Sequence, residues 1–114
     1  MAAGLYDILI EQGATFELSL TWKDSNDAPV NITGYSARMQ VRETYESEDT
    51  LVSLTSPGDI TLGGALGTIL ITIQPAVTST LPLLEGVYDI EMVAASTTYR
   101  LLQGKATISR EVTR

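Results

Sequence analysis

Thr15-Phe16-Glu17-Leu18-Ser19-Leu20-Thr21-Trp22 decides the fold of this chain. Phe16, Leu18, Leu20 and Trp22 alternate with Glu17, Ser19 and Thr21, the period of a strand with one buried face. Ser36–Arg42 repeats the pattern, with Ala37, Met39 and Val41 against Arg38, Gln40 and Arg42. Ile69, Ile71 and Ile73 follow in Thr68–Gln74, where β-branched side chains suit a pleated surface. Tyr88, Ile90 and Met92 point inward from Val87–Val93, with Asp89 and Glu91 outward, and Ala106 and Ile108 point inward near the end.

Gly, Pro, Asn and Asp punctuate these runs. Tyr6–Ile10 reads as a first strand, with Tyr6, Ile8 and Ile10 on one face, and Glu11-Gln12-Gly13 as a tight connection into the second, so the two are expected to form a hairpin. Lys23–Pro29 reads as a polar turn and Glu43–Asp49 as a solvated acidic loop. Leu51–Leu54 and Ile60–Leu62 are short strands, Gly63–Gly67 is a flexible turn, and Pro75–Leu81 is a single helical turn with Pro75 at its start. Leu101 and Leu102 break the alternation of Thr97–Gly104, which predicts a bulge or a strand buried on both faces; Lys105–Val112 reads as a last strand. The total is about eight strands and no long helix. The expected architecture is all-β: one antiparallel, immunoglobulin-like β-sandwich spanning residues 1–114 as a single domain.

Composition narrows the chemistry. The chain has neither Cys nor His, so disulfides, thiolate metal sites, thiol nucleophiles and a Ser-His-Asp triad are all ruled out. A net charge of −7 opposes binding to nucleic acid, which needs a basic footprint. The five arginines form no cluster in sequence, although Arg38 and Arg42 lie close together. No stretch has the length and apolarity of a membrane span or a signal peptide, so no membrane insertion is expected and Asn31-Ile32-Thr33 is a chance sequon.

Each candidate site also fits a plainer role. Glu43, Glu46, Glu48 and Asp49 supply carboxylates without the Gly or spacing of a calcium loop, and Asp24, Asn26 and Asp27 suit turn chemistry. Asp89 and Glu91 share a strand face about 7 Å apart, a spacing that carboxylate pairs use in glycoside hydrolysis, but any solvated strand carries such residues. Gly63-Gly64-Ala65-Leu66-Gly67 opens a strand and lacks the Lys-Ser/Thr of a phosphate loop. Trp22 and Tyr35 read as residues at the rim of the core. No catalytic residue, cofactor or metal is assigned.

A resemblance extends this reading. Its segments are Tyr6-Asp7-Ile8, Glu11–Phe16, Leu20–Asp24, Pro29–Arg42, Leu84–Glu91, Arg100–Gly104 and Glu111–Arg114. In combination they resemble a family of small structural, tail-associated proteins of tailed bacteriophages and prophages. The Lys-Asp turn, Pro-Val and Ile-Thr-Gly pattern is also distantly similar to the N-terminal β-sandwich of phage baseplate upper proteins. Asn31 stands where that family usually has Asp; both make the same local hydrogen bond.

The resemblance implies a non-enzymatic virion component made in the host bacterial cytoplasm. It would be an adaptor in the tail tip, baseplate or fibre-attachment region, docking other virion proteins in multiple symmetric copies through strand edges and loops. Capsid decoration or a neck role is one alternative. A carbohydrate-binding module for host adsorption is another, with Trp22, Tyr35 and Tyr45 as aromatic platforms. The expected docking residues are Asp24, Asn26 and Asp27 in one loop, Tyr45, Glu46 and Glu48 in another, and Glu111 and Arg114 in the tail.

Overall fold

A computed structural model describes residues 4–82 and 85–110. Glu111 and Arg114 lie outside the described residues. In chain order the strands are β1 (Gly4–Leu5), β2 (Ile8–Glu11), β3 (Phe16–Thr21), β4 (Ser36–Arg42), β5 (Val52–Thr55), β6 (Ile60–Leu62), β7 (Thr68–Ile73), β8 (Glu85–Ala94) and β9 (Thr97–Ser109). A one-turn helix, α1 (Pro75–Thr78), starts at the expected proline.

One sheet runs β9-β8-β4-β5, with β1 and β2 both paired to β9; the other is β3-β7-β6. Their inner faces share one core, in which Ile10, Met39, Ile60, Ile69, Ile71 and Ile90 are fully buried. The order β9-β8-β4-β5 facing β3-β7-β6 matches strands G-F-C-C′ facing B-E-D of an immunoglobulin-like sandwich. The alternation decides this. Ala37, Met39 and Val41 are buried on β4, as are Tyr88, Ile90 and Met92 on β8 and Ala106 and Ile108 on β9.

Three expectations are corrected. The first two strands form no hairpin. β2 instead runs parallel to β9, pairing Ile8 with Ala106 and Ile10 with Ile108, in the sheet opposite β3. The Gln12–Ala14 connection has no Asn-Gly turn to fold the chain back. It is tied to α1 and the segment that follows it: Gly13 N–H donates to Thr78 Oγ1 (3.1 Å), Thr78 Oγ1 donates to the Ala14 carbonyl (2.9 Å), and Gln12 Nε2 donates to the Leu81 carbonyl (2.7 Å).

Tyr6 is the second. It lies off the core face, 51% exposed, because the chain breaks step between β1 and β2. The third is at the C-terminal end, where the two expected strands are one continuous β9. The irregularity at Leu101 and Leu102 is a bulge: Ile90 pairs with Leu102 and Glu91 with Arg100, leaving Leu101 without a partner in β8.

Two glycines fix the chain's close approaches. Gly67 has φ +68°, and a Cβ there would sit 2.9 Å from the carbonyl oxygens of both Trp22 and Val30. It ends the 3-10 turn Gly64–Leu66, so the glycine-rich segment is an ordered turn. Gly104 lies beneath the β1–β2 break, where a Cβ would stand 2.2 Å from the Tyr6 carbonyl oxygen.

Candidate interaction site

The loss of the hairpin exposes β3. Among the described residues it pairs on one side only, with β7, from Phe16–Ile73 to Thr21–Thr68. The ladder continues one residue further, as Trp22 N–H donates to the Gly67 carbonyl (2.8 Å). Since backbone direction alternates along a strand, the even-numbered residues bond to β7. The N–H and C=O groups of Glu17, Ser19 and Thr21 therefore point to the open edge. Among the described residues no strand pairs there.

Burial agrees with the pairing. Ile69, Ile71 and Ile73 on β7 are fully buried, whereas Phe16, Leu18 and Leu20, facing the same core from β3, are only half-buried. Beside them, Leu20, Thr21, Trp22, Lys23, Leu101 and Leu102 line an open, largely apolar groove of about 310 Å³. Trp22, 7% exposed, forms its inner wall and packs edge-on against Tyr35 (5.9 Å) and Tyr99 (5.6 Å). Its indole N–H is buried with no hydrogen-bond partner among the described residues.

The other edges are blunted. β5 is four residues long and β6 three, and the β1–β2 edge is broken at Tyr6–Asp7. β3 carries six residues without a Pro, a bulge or an inward-pointing charge, the usual devices against edge pairing. Sequence reading singled out this strand for its core face and missed its edge. The only available signal was the weak turn at Glu11-Gln12-Gly13.

The sequence-predicted docking loops are on the surface but do not converge. The loop with Asp24, Asn26 and Asp27 enters the β4 side of the sandwich, and the one with Tyr45, Glu46 and Glu48 leaves β4 at its far end, about 20 Å of strand away. All six residues are exposed. Asp24 is occupied locally: its Oδ1 accepts from the N–H groups of Asn26 (2.8 Å) and Ala28 (3.1 Å). Asp27, at φ +63°, pairs with Lys23 at 3.5 Å. The acidic loop is held by Arg42, whose guanidinium donates to the carbonyls of Ser47 (2.7 Å) and Glu48 (2.9 Å).

Asp89 and Glu91 face outward from β8 among three arginines, a grouping that the linear sequence does not show. Arg38 binds Glu91 at 2.7 Å, and Arg100 lies 3.6 Å from Asp89. Burial raises the Asp89 carboxyl above its ordinary pKa, and the neighbouring Glu91 adds to this. Arg100, Arg38 and Arg42 offset part of the rise. Tyr45, 71% exposed, borders the shallow groove over this face with Gln40, Arg42, Asp89 and Arg100.

No family model matches the chain, and no curated protein matches it. Among solved structures it is similar to one described as Tim-1, at 13% identity and a TM-score of 0.48, over 100% of this chain and 99% of that one. A likeness at that level says nothing about function.

Proposed function

We propose that this protein is a non-enzymatic structural adaptor of a bacteriophage particle, seated at the tail tip, baseplate or fibre-attachment region and docking neighbouring virion proteins. The observation that carries the adaptor reading is the open, unblunted edge of β3. It offers a row of free backbone donors and acceptors beside half-buried apolar side chains, which is the template that strand addition uses. The phage setting is supported by the sequence resemblance alone.

Cryo-electron microscopy of intact particles tests the placement by tracing this chain in the averaged density. Density at the tail tip or fibre base is the expected result. Density over the capsid lattice or at the neck would replace the adaptor with a decoration or neck role, and absence from the particle would overturn the reading.

A second reading, a carbohydrate-binding module, has Tyr45 in its favour, exposed beside the polar side chains of Gln40, Arg42 and Asp89. Trp22 lies inside the core, so it offers no open stacking face. Loss of glycan binding in a Tyr45→Ala variant would favour this reading over the adaptor.

A further inference from the structure

We infer that the β3 edge seats a second copy of this chain, the two β3 strands pairing antiparallel about a two-fold axis at Ser19. The inference rests on β3 being a docking edge, and the self-complementarity of the strand identifies the partner.

Only odd-numbered residues present backbone groups at the edge, so hydrogen-bonded pairs must join odd to odd. Centred on Ser19, the register sets Glu17 against the partner's Thr21, Ser19 against the partner's Ser19, and Thr21 against the partner's Glu17, each pair exchanging two bonds. On the core side, Leu18 meets the partner's Leu20, and Phe16 stands opposite the partner's Trp22. That places each Phe16 ring at the mouth of the other copy's apolar groove.

Charge agrees with this register. Glu17 lies diagonal to the partner's Lys23, within reach of long side chains, and no like charges stand directly opposite. A shift to centre the axis on Leu18 brings the two Glu17 carboxylates into diagonal contact, and a shift to Leu20, although it sets Glu17 directly opposite the partner's Lys23, places the Phe16 ring against the partner's Asp24 instead of Trp22. The product is one continuous six-stranded sheet, β6-β7-β3 joined to its symmetry mate, in a closed dimer. Each copy carries a charge of −7, so association strengthens with added salt.

The absence of cysteine makes the register directly readable. In an antiparallel hydrogen-bonded pair the Cα atoms are about 5.5 Å apart, within disulfide range. Under mild oxidation a Ser19→Cys variant is expected to cross-link to itself. A Glu17→Cys variant, offset by about 14 Å from its own copy, does not. A mixture of Glu17→Cys and Thr21→Cys proteins cross-links. Sedimentation of the unmodified chain is expected to show a dimer, and Phe16→Ala to weaken it by about a hundredfold, since both copies lose a partly buried ring. Ser19→Pro removes an edge N–H but no ladder bond, so it is expected to be folded by circular dichroism and monomeric by sedimentation.

A monomer at high protein concentration and high salt overturns the inference, as does cross-linking of Glu17→Cys to itself. If the monomer nevertheless joins particles in a Ser19-dependent way, the docking role survives with a different partner. If the dimer forms and the chain is absent from particles, the phage adaptor reading fails and the dimer stands.

Discussion

The Tyr88 hydroxyl donates a hydrogen bond to the main-chain carbonyl of Tyr6, joining β8 to the break between β1 and β2 across 82 residues of sequence. Around it, Tyr6 N–H donates to the Gln103 carbonyl (3.0 Å), and Lys105 N–H donates to Asp7 Oδ1 (3.0 Å). This knot holds the first strands against β9 and thereby away from β3.

Tyr88→Phe leaves the Tyr6 carbonyl without this donor and is expected to cost about 1 kcal/mol. Amide exchange should quicken at residues 5–7 before it changes elsewhere. The pH dependence tests the same contact. Burial, with smaller contributions from Asp7 and Tyr6, pushes the Tyr88 hydroxyl up to about 12. An unfolded tyrosine loses its proton near pH 10. The folded state therefore keeps a proton that the unfolded chain releases, and stability falls as pH rises from about 10 to 12. Thermal melts across that range should show a shallower decline in the Phe variant.

Gly104→Ala sets a methyl group against the Tyr6 carbonyl, with Asp7 Oδ1 3.0 Å away on the same side. The backbone must move to admit it. A loss of about 1–3 kcal/mol is expected, as for overpacked cores, with the β1–β2 segment released. Chemical denaturation gives the loss, and limited proteolysis near Asp7 reports the release.

Thr78→Val keeps the shape of a fully buried side chain and removes the hydroxyl that bridges Gly13 and Ala14. The half-buried Gly13 N–H and the exposed Ala14 carbonyl then lose their protein partner, at a cost of about 1 kcal/mol. Thr78→Ser should recover most of the loss in a denaturation series, since it restores the hydroxyl.

Asp89→Asn is expected to leave the melting temperature at pH 7 unchanged or slightly higher. The folded carboxyl binds its proton more tightly than the unfolded chain does, because burial, then Glu91, disfavours its charge. Its contribution to stability is therefore present below about pH 4 and lost as pH rises through the folded value. The exposed Arg100 pair that the substitution removes is worth little. Melts at pH 3 and pH 7 should differ less in the variant than in the parent.

The amino-acid sequence determined which side chains face the core. Alternation is a local property of extended backbone, so Met39, Ile71, Ile90 and Ile108 could be assigned to the interior from their neighbours alone. Turn chemistry is local too, and the Asp24 loop and the Leu101 bulge were legible for the same reason.

Strand partnership was not local. A parallel pairing of β2 with β9 depends on residues such as Ala106, Thr78 and Tyr88, far away in sequence, and no pattern within Tyr6–Trp22 distinguishes it from a hairpin. That long-range choice decided which strand was left open and therefore where the candidate site lies. It also gathered Arg38, Arg100, Asp89 and Glu91 on one outer face and separated the two predicted docking loops by the length of β4. Hydrophobic periodicity fixes a residue's side of its sheet; the tertiary packing of distant segments fixes which strand lies beside it.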